Sequence, residues 1–185
     1  MEWQNLRMGF QSNKGMASRQ SNGGIFHMQI EKVLGRKEKK ALEELLEKNY
    51  GCRIALQDYN IFMTAEEKIW LASPSINFSI FDVLKRCYRI GIYFGKLKRN
   101  NKIKLSIEGA MIVGKKARKN VILINKEEAK KFMQGYDVVP DELIEAEMHN
   151  FVIVKCGDDI MGTGILRDGY VENLIPKARR MVKIE

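Results

Sequence analysis

The sequence predicts an α+β protein of two units, a small α/β unit over residues 28–97 and a β-rich unit with two short helices over 102–183. Three observations carry this. One strongly amphipathic helical stripe, Arg36 to Tyr50, sits among short strand-like runs in the first half. Two short helical segments, each preceded by a capping residue, alternate with strands between 102 and 135. The chain then closes with strand-like runs joined by the glycine turns Gly157-Asp158-Asp159 and Arg167-Asp168-Gly169, which suit tight hairpins.

The elements follow in order. Residues 1–25 are rich in Gln, Ser, Asn and Gly and poor in aliphatics, so a disordered tail is expected there. In the helix from Arg36, Ala41, Leu42, Leu45 and Leu46 form the apolar stripe, and Gly51 is the stop. Ile54–Leu56, Ile61–Met63 and Lys68–Ala72 read as strands, and Asn77–Cys87 reads as a helix. Arg89–Leu97 and Lys102–Leu105 are strand-like. Ser106 then caps a helix, Ile107–Val113, expected to stop at Gly114 with positive φ. A basic loop, Lys115 to Lys119, leads to the strand Asn120–Ile124. Asn125 and Glu128 have capping-box spacing for the helix Lys126–Met133, and Gly135 ends it. The last strands are Phe151–Cys156, Ile160–Leu166 and Tyr170–Ile175.

Charge is the clearest functional signal. The 185-residue chain has a formal net charge of +9, which favours polyanionic partners. Lys102 to Lys119 holds six bases and one acid, whereas Asp137 to Glu147 holds five acids and no base. No apolar run is long enough to span a membrane and the N-terminus lacks a secretory core, so a cytoplasmic protein is expected. The cysteines Cys52, Cys87 and Cys156 form no CxxC pair, and His27 and His149 are the only histidines, so no metal site and no cofactor is expected. The acidic run lacks a calcium-loop pattern and reads as a solvated face. No dinucleotide fingerprint, P-loop or nucleophile constellation is present, which predicts a non-catalytic protein.

Several segments, taken in this order, resemble a PUA domain: LSIEGAMIVG (105–114), KNVILI (119–124), NKEEAKKFMQG (125–135) and FVIVKCGDDIMGTGILRDGYVENLIPKARRM (151–181). The last is similar to the tail of Sun-type rRNA cytosine methyltransferases and to free-standing archaeal proteins with a pre-PUA α/β domain. The resemblance implies a mixed, closed β-barrel with two helices behind a pre-PUA domain. It also implies RNA held by Gly109, Ala110 and Gly114, by Lys115 and Lys116, and by Asn173, Lys177, Arg179 and Arg180. Arg118 and Lys119 extend the basic loop as phosphate contacts.

Each assignment has a plainer alternative. The small residues Gly109 and Ala110 admit either an RNA backbone or a neighbouring strand. The loop bases serve phosphates or only solvent, and the terminal bases serve RNA or dock on the acidic run. Tyr93, Phe94 and Tyr170 are either stacking platforms or core. The resulting expectation is an RNA-binding accessory protein for structured rRNA or tRNA, partnered with an RNA-modifying enzyme or pre-ribosomal particle. The alternative is a protein-interaction scaffold within an RNA-modifying complex.

Overall fold

A computed structural model describes residues 30–77 and 90–182. The expected N-terminal tail, most of the expected helix at 77–87, His27 and Cys87 lie outside the described residues.

The first sheet is antiparallel, in the order β1-β2-β3-β4-β5, from β1 (Ile30–Val33), β2 (Asn60–Thr64), β3 (Lys68–Ala72), β4 (Ile92–Lys98) and β5 (Lys102–Leu105). Helix α1 (Arg36–Tyr50) covers one face. Its stripe buries Leu42, Leu45, Leu46 and Tyr50, and Gly51 ends it in the left-handed conformation at φ 62°. These side chains pack on Ile61, Met63, Ile69, Leu71, Phe94, Ile103 and Leu105 from the sheet. Ile54–Leu56 forms no strand. Ile54 and Leu56 plug the same core, and the Leu56 N–H donates to the Glu43 carboxylate at 2.7 Å instead of to a ladder.

The expected division at 97–102 runs through the β4–β5 hairpin, where Lys98 pairs with Lys102 across Asn100 and Asn101, both at positive φ. β5 therefore completes the first sheet.

The second sheet is mixed, in the order β10-β9-β8-β6-β7, from β6 (Val121–Leu123), β7 (Glu142–Ile144), β8 (Phe151–Cys156), β9 (Asp159–Leu166) and β10 (Val171–Asn173). β6 and β8 are its parallel pair. Among the described residues, the isolated bridge Val138–Val171 brings the segment ahead of β7 back against β10; the two edges share no continuous ladder. The two helices of this half are α2 (Ile107–Gly114) and α3 (Lys126–Met133).

The closing hairpins use their glycines as expected, Gly157 at φ 61° and Gly169 at φ 78°. Asn125 caps α3 by accepting from the Glu127 and Glu128 N–H groups, each at 3.0 Å. The reciprocal half of the expected capping box is absent, because the Glu128 carboxylate accepts from the Val139 N–H at 3.1 Å.

β8 links the two cores by strand alternation. Ile153 joins the core beneath α1, while Val152 and Val154 face a second core with Ile122, Phe132, Leu166, Val171 and Ile175. Ala110 and Val113 of α2 also belong to the first core.

Candidate nucleic-acid interface

Helix α2 is built to be enclosed. Ser106 caps it, its hydroxyl accepting from the Gly109 N–H at 2.9 Å and donating to the Tyr93 carbonyl at 2.5 Å. A Cβ at Gly109 would stand 2.0 Å from the Phe94 carbonyl oxygen. The space left by Gly109 is thus filled by β4, not open to a ligand, and Ala110 is fully buried. Gly114 also departs from its expected role. It remains within the helix with no positive φ, and a Cβ there would press on Ile160 at 2.8 Å and Ile153 at 3.2 Å. Close packing between the sheets, rather than helix termination or RNA approach, explains these small residues.

The basic loop emerges where α2 ends. The Lys116 N–H donates to the Val113 carbonyl at 3.0 Å, and those of Arg118 and Lys119 donate to the Tyr50 carbonyl at 3.0 and 3.1 Å. The orphan carbonyl at the C-terminus of α1 is thereby satisfied, and the loop backbone is held by three hydrogen bonds to two residues, one at the end of each helix. Lys115, Lys116 and Arg118 are exposed and make no ion pair among the described residues. Lys119 differs: its ammonium pairs with Glu147 at 2.7 Å.

Lys115, Lys116 and Arg118 wall an open cleft of about 590 Å³, with Glu47, Gly51, Cys52 and Arg53 on the other side. Arg53 is 86% exposed and contacts Glu47 at 2.8 Å. The cleft therefore presents four cationic side chains against one carboxylate, itself already paired. Burial pushes the Cys52 thiol up, Lys116 offsets this in part and Glu47 adds to it, so the thiol is kept in its neutral form. Such a group is a poor nucleophile. The arrangement suits electrostatic capture of phosphates.

The C-terminal bases divide further. Lys177 is exposed in a 3₁₀ turn, Lys177–Arg179. Arg179 donates to Glu108 in the first turn of α2 at 2.8 Å. Arg180 lies over Gly135, where a Cβ would come within 2.3 Å of its side chain, and its Nε donates to the Ile175 carbonyl at 3.1 Å. The Met181 N–H donates to the Met133 carbonyl at 2.9 Å. The tail thus docks on α2 and the end of α3, not on the acidic run.

Asn173 also serves the fold. Its side-chain amide donates to the Phe132 and Tyr136 carbonyls at 2.7 and 3.0 Å and accepts from the Ile175 N–H at 2.8 Å. Its own N–H donates to Asp137 at 2.8 Å.

The acidic run is more than a solvated face. Asp137, Asp141 and Glu147 all accept internal hydrogen bonds, from Asn173, Asn125 and Asn150 respectively. No group of three or more His, Cys, Asp or Glu among the described residues could hold a metal ion.

Sequence reasoning brought together the loop and its bases but missed Arg53 and Glu47. They enter the cleft only through the docking of the loop on the end of α1. Of the aromatic candidates, Phe94 is core, Tyr93 is half-buried, and Tyr170 is 40% exposed.

Residues 119–181 match a family model described as the methyltransferase RsmF PUA domain. The C-terminal part of the chain resembles that domain. Among solved structures the chain is similar to a PUA domain from Aeropyrum pernix K1, crystallised as a tartrate complex. Identity is 14%, the TM-score is 0.50, and the match covers 80% of this chain and 87% of that one. This likeness extends the shared fold well ahead of residue 119. No curated protein matches the chain. The basic loop lies immediately ahead of the matched segment. No helix among the described residues is long and apolar enough to cross a membrane.

Proposed function

We propose that the protein binds a structured RNA, rRNA or tRNA, as a non-catalytic accessory factor in ribosome biogenesis or RNA modification in the cytoplasm. The observation that carries this reading is the cleft where Lys115, Lys116 and Arg118 face Arg53 across the junction of the PUA domain and the first sheet. Its unpaired cations can each meet a phosphate, releasing counterions. Lys177 adds a further exposed cation beyond β10. Glu108, which holds Arg179, lies seven residues before Lys115, about 10 Å along α2 at the helical rise.

The partner is then an enzyme or pre-ribosomal particle acting on the RNA that this protein holds. The test is crosslinking and sequencing in native cells. Enrichment of one rRNA or tRNA region, with crosslinks at residues 53 and 115–118, is expected. RNA recovery at background, with a protein partner retained after nuclease treatment, would replace this reading with a scaffold.

A further inference from the structure

The face of the first sheet opposite α1 carries a charge pattern that folding alone does not explain. Ile69, Leu97, Ile103 and Leu105 point to the core. By strand alternation, Lys68, Lys96, Lys98, Lys102 and Lys104 share the other face. The register sets them directly opposite one another: Lys68 pairs with Lys96, Lys96 with Lys104, and Lys98 with Lys102. Like charges facing each other across strands destabilise a sheet.

Glu66 answers part of this charge, contacting Lys96 at 2.9 Å and Lys68 at 3.5 Å. Lys98, Lys102 and Lys104 have no ion pair among the described residues. Glu172 lies near Lys104 but is held by Arg167 at 2.6 Å, and Glu147 lies near Lys102 but is held by Lys119. Burial, reinforced by Lys98 and Lys96, pulls the Lys104 ammonium below its ordinary range.

One step along the strands, an aromatic row adjoins the lysines. Phe62 and Trp70 stack with centroids 6.3 Å apart, and Trp70 meets Tyr93 at 5.2 Å. Phe62 is buried, while Trp70 and Tyr93 are half-buried and keep part of their rings at the surface.

We propose that this face is a second RNA-contacting surface, on which the lysine rows hold the phosphates of an unpaired strand and Trp70 and Tyr93 offer rings to its bases. The inference rests on the RNA-binding reading for its class of ligand and extends it to residues outside the cleft. Neighbouring strands lie about 4.8 Å apart, and same-face residues on one strand about 6.7 Å apart, so the cations form a grid rather than a point. An acidic protein would also meet the lysines. The adjoining aromatic row favours nucleotides, since bases stack on such rings whatever their sequence.

The test uses the full chain and a fluorescein-labelled short uridine oligonucleotide, with anisotropy followed over a salt series. Lys98, Lys102 and Lys104 are changed together to Gln, and the cleft variant with Lys115, Lys116 and Arg118 changed to Ala is run beside it. The sheet variant should bind about tenfold more weakly at low salt, with a logarithmic salt slope shallower by about 2. Its melting temperature should not fall, because repulsive pairs have been removed. Lys98→Glu alone, at the end of its strand, should weaken binding in the same direction and guards against misfolding of the triple variant. Unchanged affinity and slope in both variants would overturn the proposal, whatever protein the face then proved to hold. Weakening by the sheet variant with a normal cleft variant would leave this surface standing and remove the cleft.

Discussion

The Arg118 N–H donates to the Tyr50 carbonyl at 3.0 Å, so the basic loop ahead of β6 hangs on the last residue of α1. The cationic cleft is a product of that docking. Arg53 follows the helix by three residues, and the loop bases arrive from the far end of α2. Neither segment forms the cleft alone.

Gly51 is the tightest point of this junction. It sits at φ 62°, and a Cβ there would stand 3.2 Å from Lys119 Cβ and 3.3 Å from Lys119 N. Gly51→Ala should cost about 1–2 kcal/mol from the left-handed conformation alone. It should also shift the loop and lower RNA affinity. Thermal melts combined with RNA titration check both effects; a destabilised variant with parental affinity would show that loop placement is not limiting.

Gly109→Ala separates the enclosed-helix reading from direct RNA contact. The new methyl collides with the Phe94 carbonyl, which should cost about 3 kcal/mol or more in denaturant unfolding. The folded fraction should retain its RNA affinity. Parental stability with lost RNA binding would restore Gly109 to the interface.

Asn173→Ala leaves the Phe132 and Tyr136 carbonyls and the Ile175 N–H without their partner. About 3 kcal/mol of stability should be lost. Urea unfolding measures this. A loss of RNA affinity at unchanged stability would return Asn173 to the binding surface.

These two residues also show what the sequence could convey. The helices α1 and α3, the caps Ser106 and Asn125 and the closing hairpins are local features, set by periodicity, side-chain caps and turn glycines. Gly109, Gly114, Asn173 and Arg180 were assigned to RNA through the resemblance, which says nothing of what packs against them here. Their actual partners, Phe94, Ile160, Phe132 and Gly135, are brought to them only by tertiary packing. Ile54–Leu56 has the apolarity of a strand, but nothing local reveals that Glu43 takes the Leu56 N–H. The lysine grid was written plainly as alternation in Lys96-Leu97-Lys98 and Lys102-Ile103-Lys104. Its meaning depended on the register that aligns the two strands.

The tail contact should respond to acid. Burial works to raise the Glu108 carboxyl, but its own backbone N–H and the hydrogen-bonded Arg179 guanidinium outweigh it and hold the group below its usual range. A depressed carboxyl contributes stability above its unfolded pKa, about 4.3, and loses it as pH falls through the folded value. Glu108→Gln should therefore be less stable than the parent at neutral pH, with the difference vanishing on acidification below that range. Unfolding midpoints of both proteins across the acid range check this; a difference independent of pH would remove the ion pair as its cause.

On the proposed function, the cleft between Arg53 and the basic loop holds RNA phosphates. The most direct measurement is the salt dependence of affinity for a structured RNA, comparing the parent with the variant in which Lys115, Lys116 and Arg118 are Ala. Weaker binding is expected, with a logarithmic salt slope shallower by about 2–3, close to 0.9 per lost duplex phosphate contact. Equal affinities and parallel slopes, with melting unchanged, would contradict it.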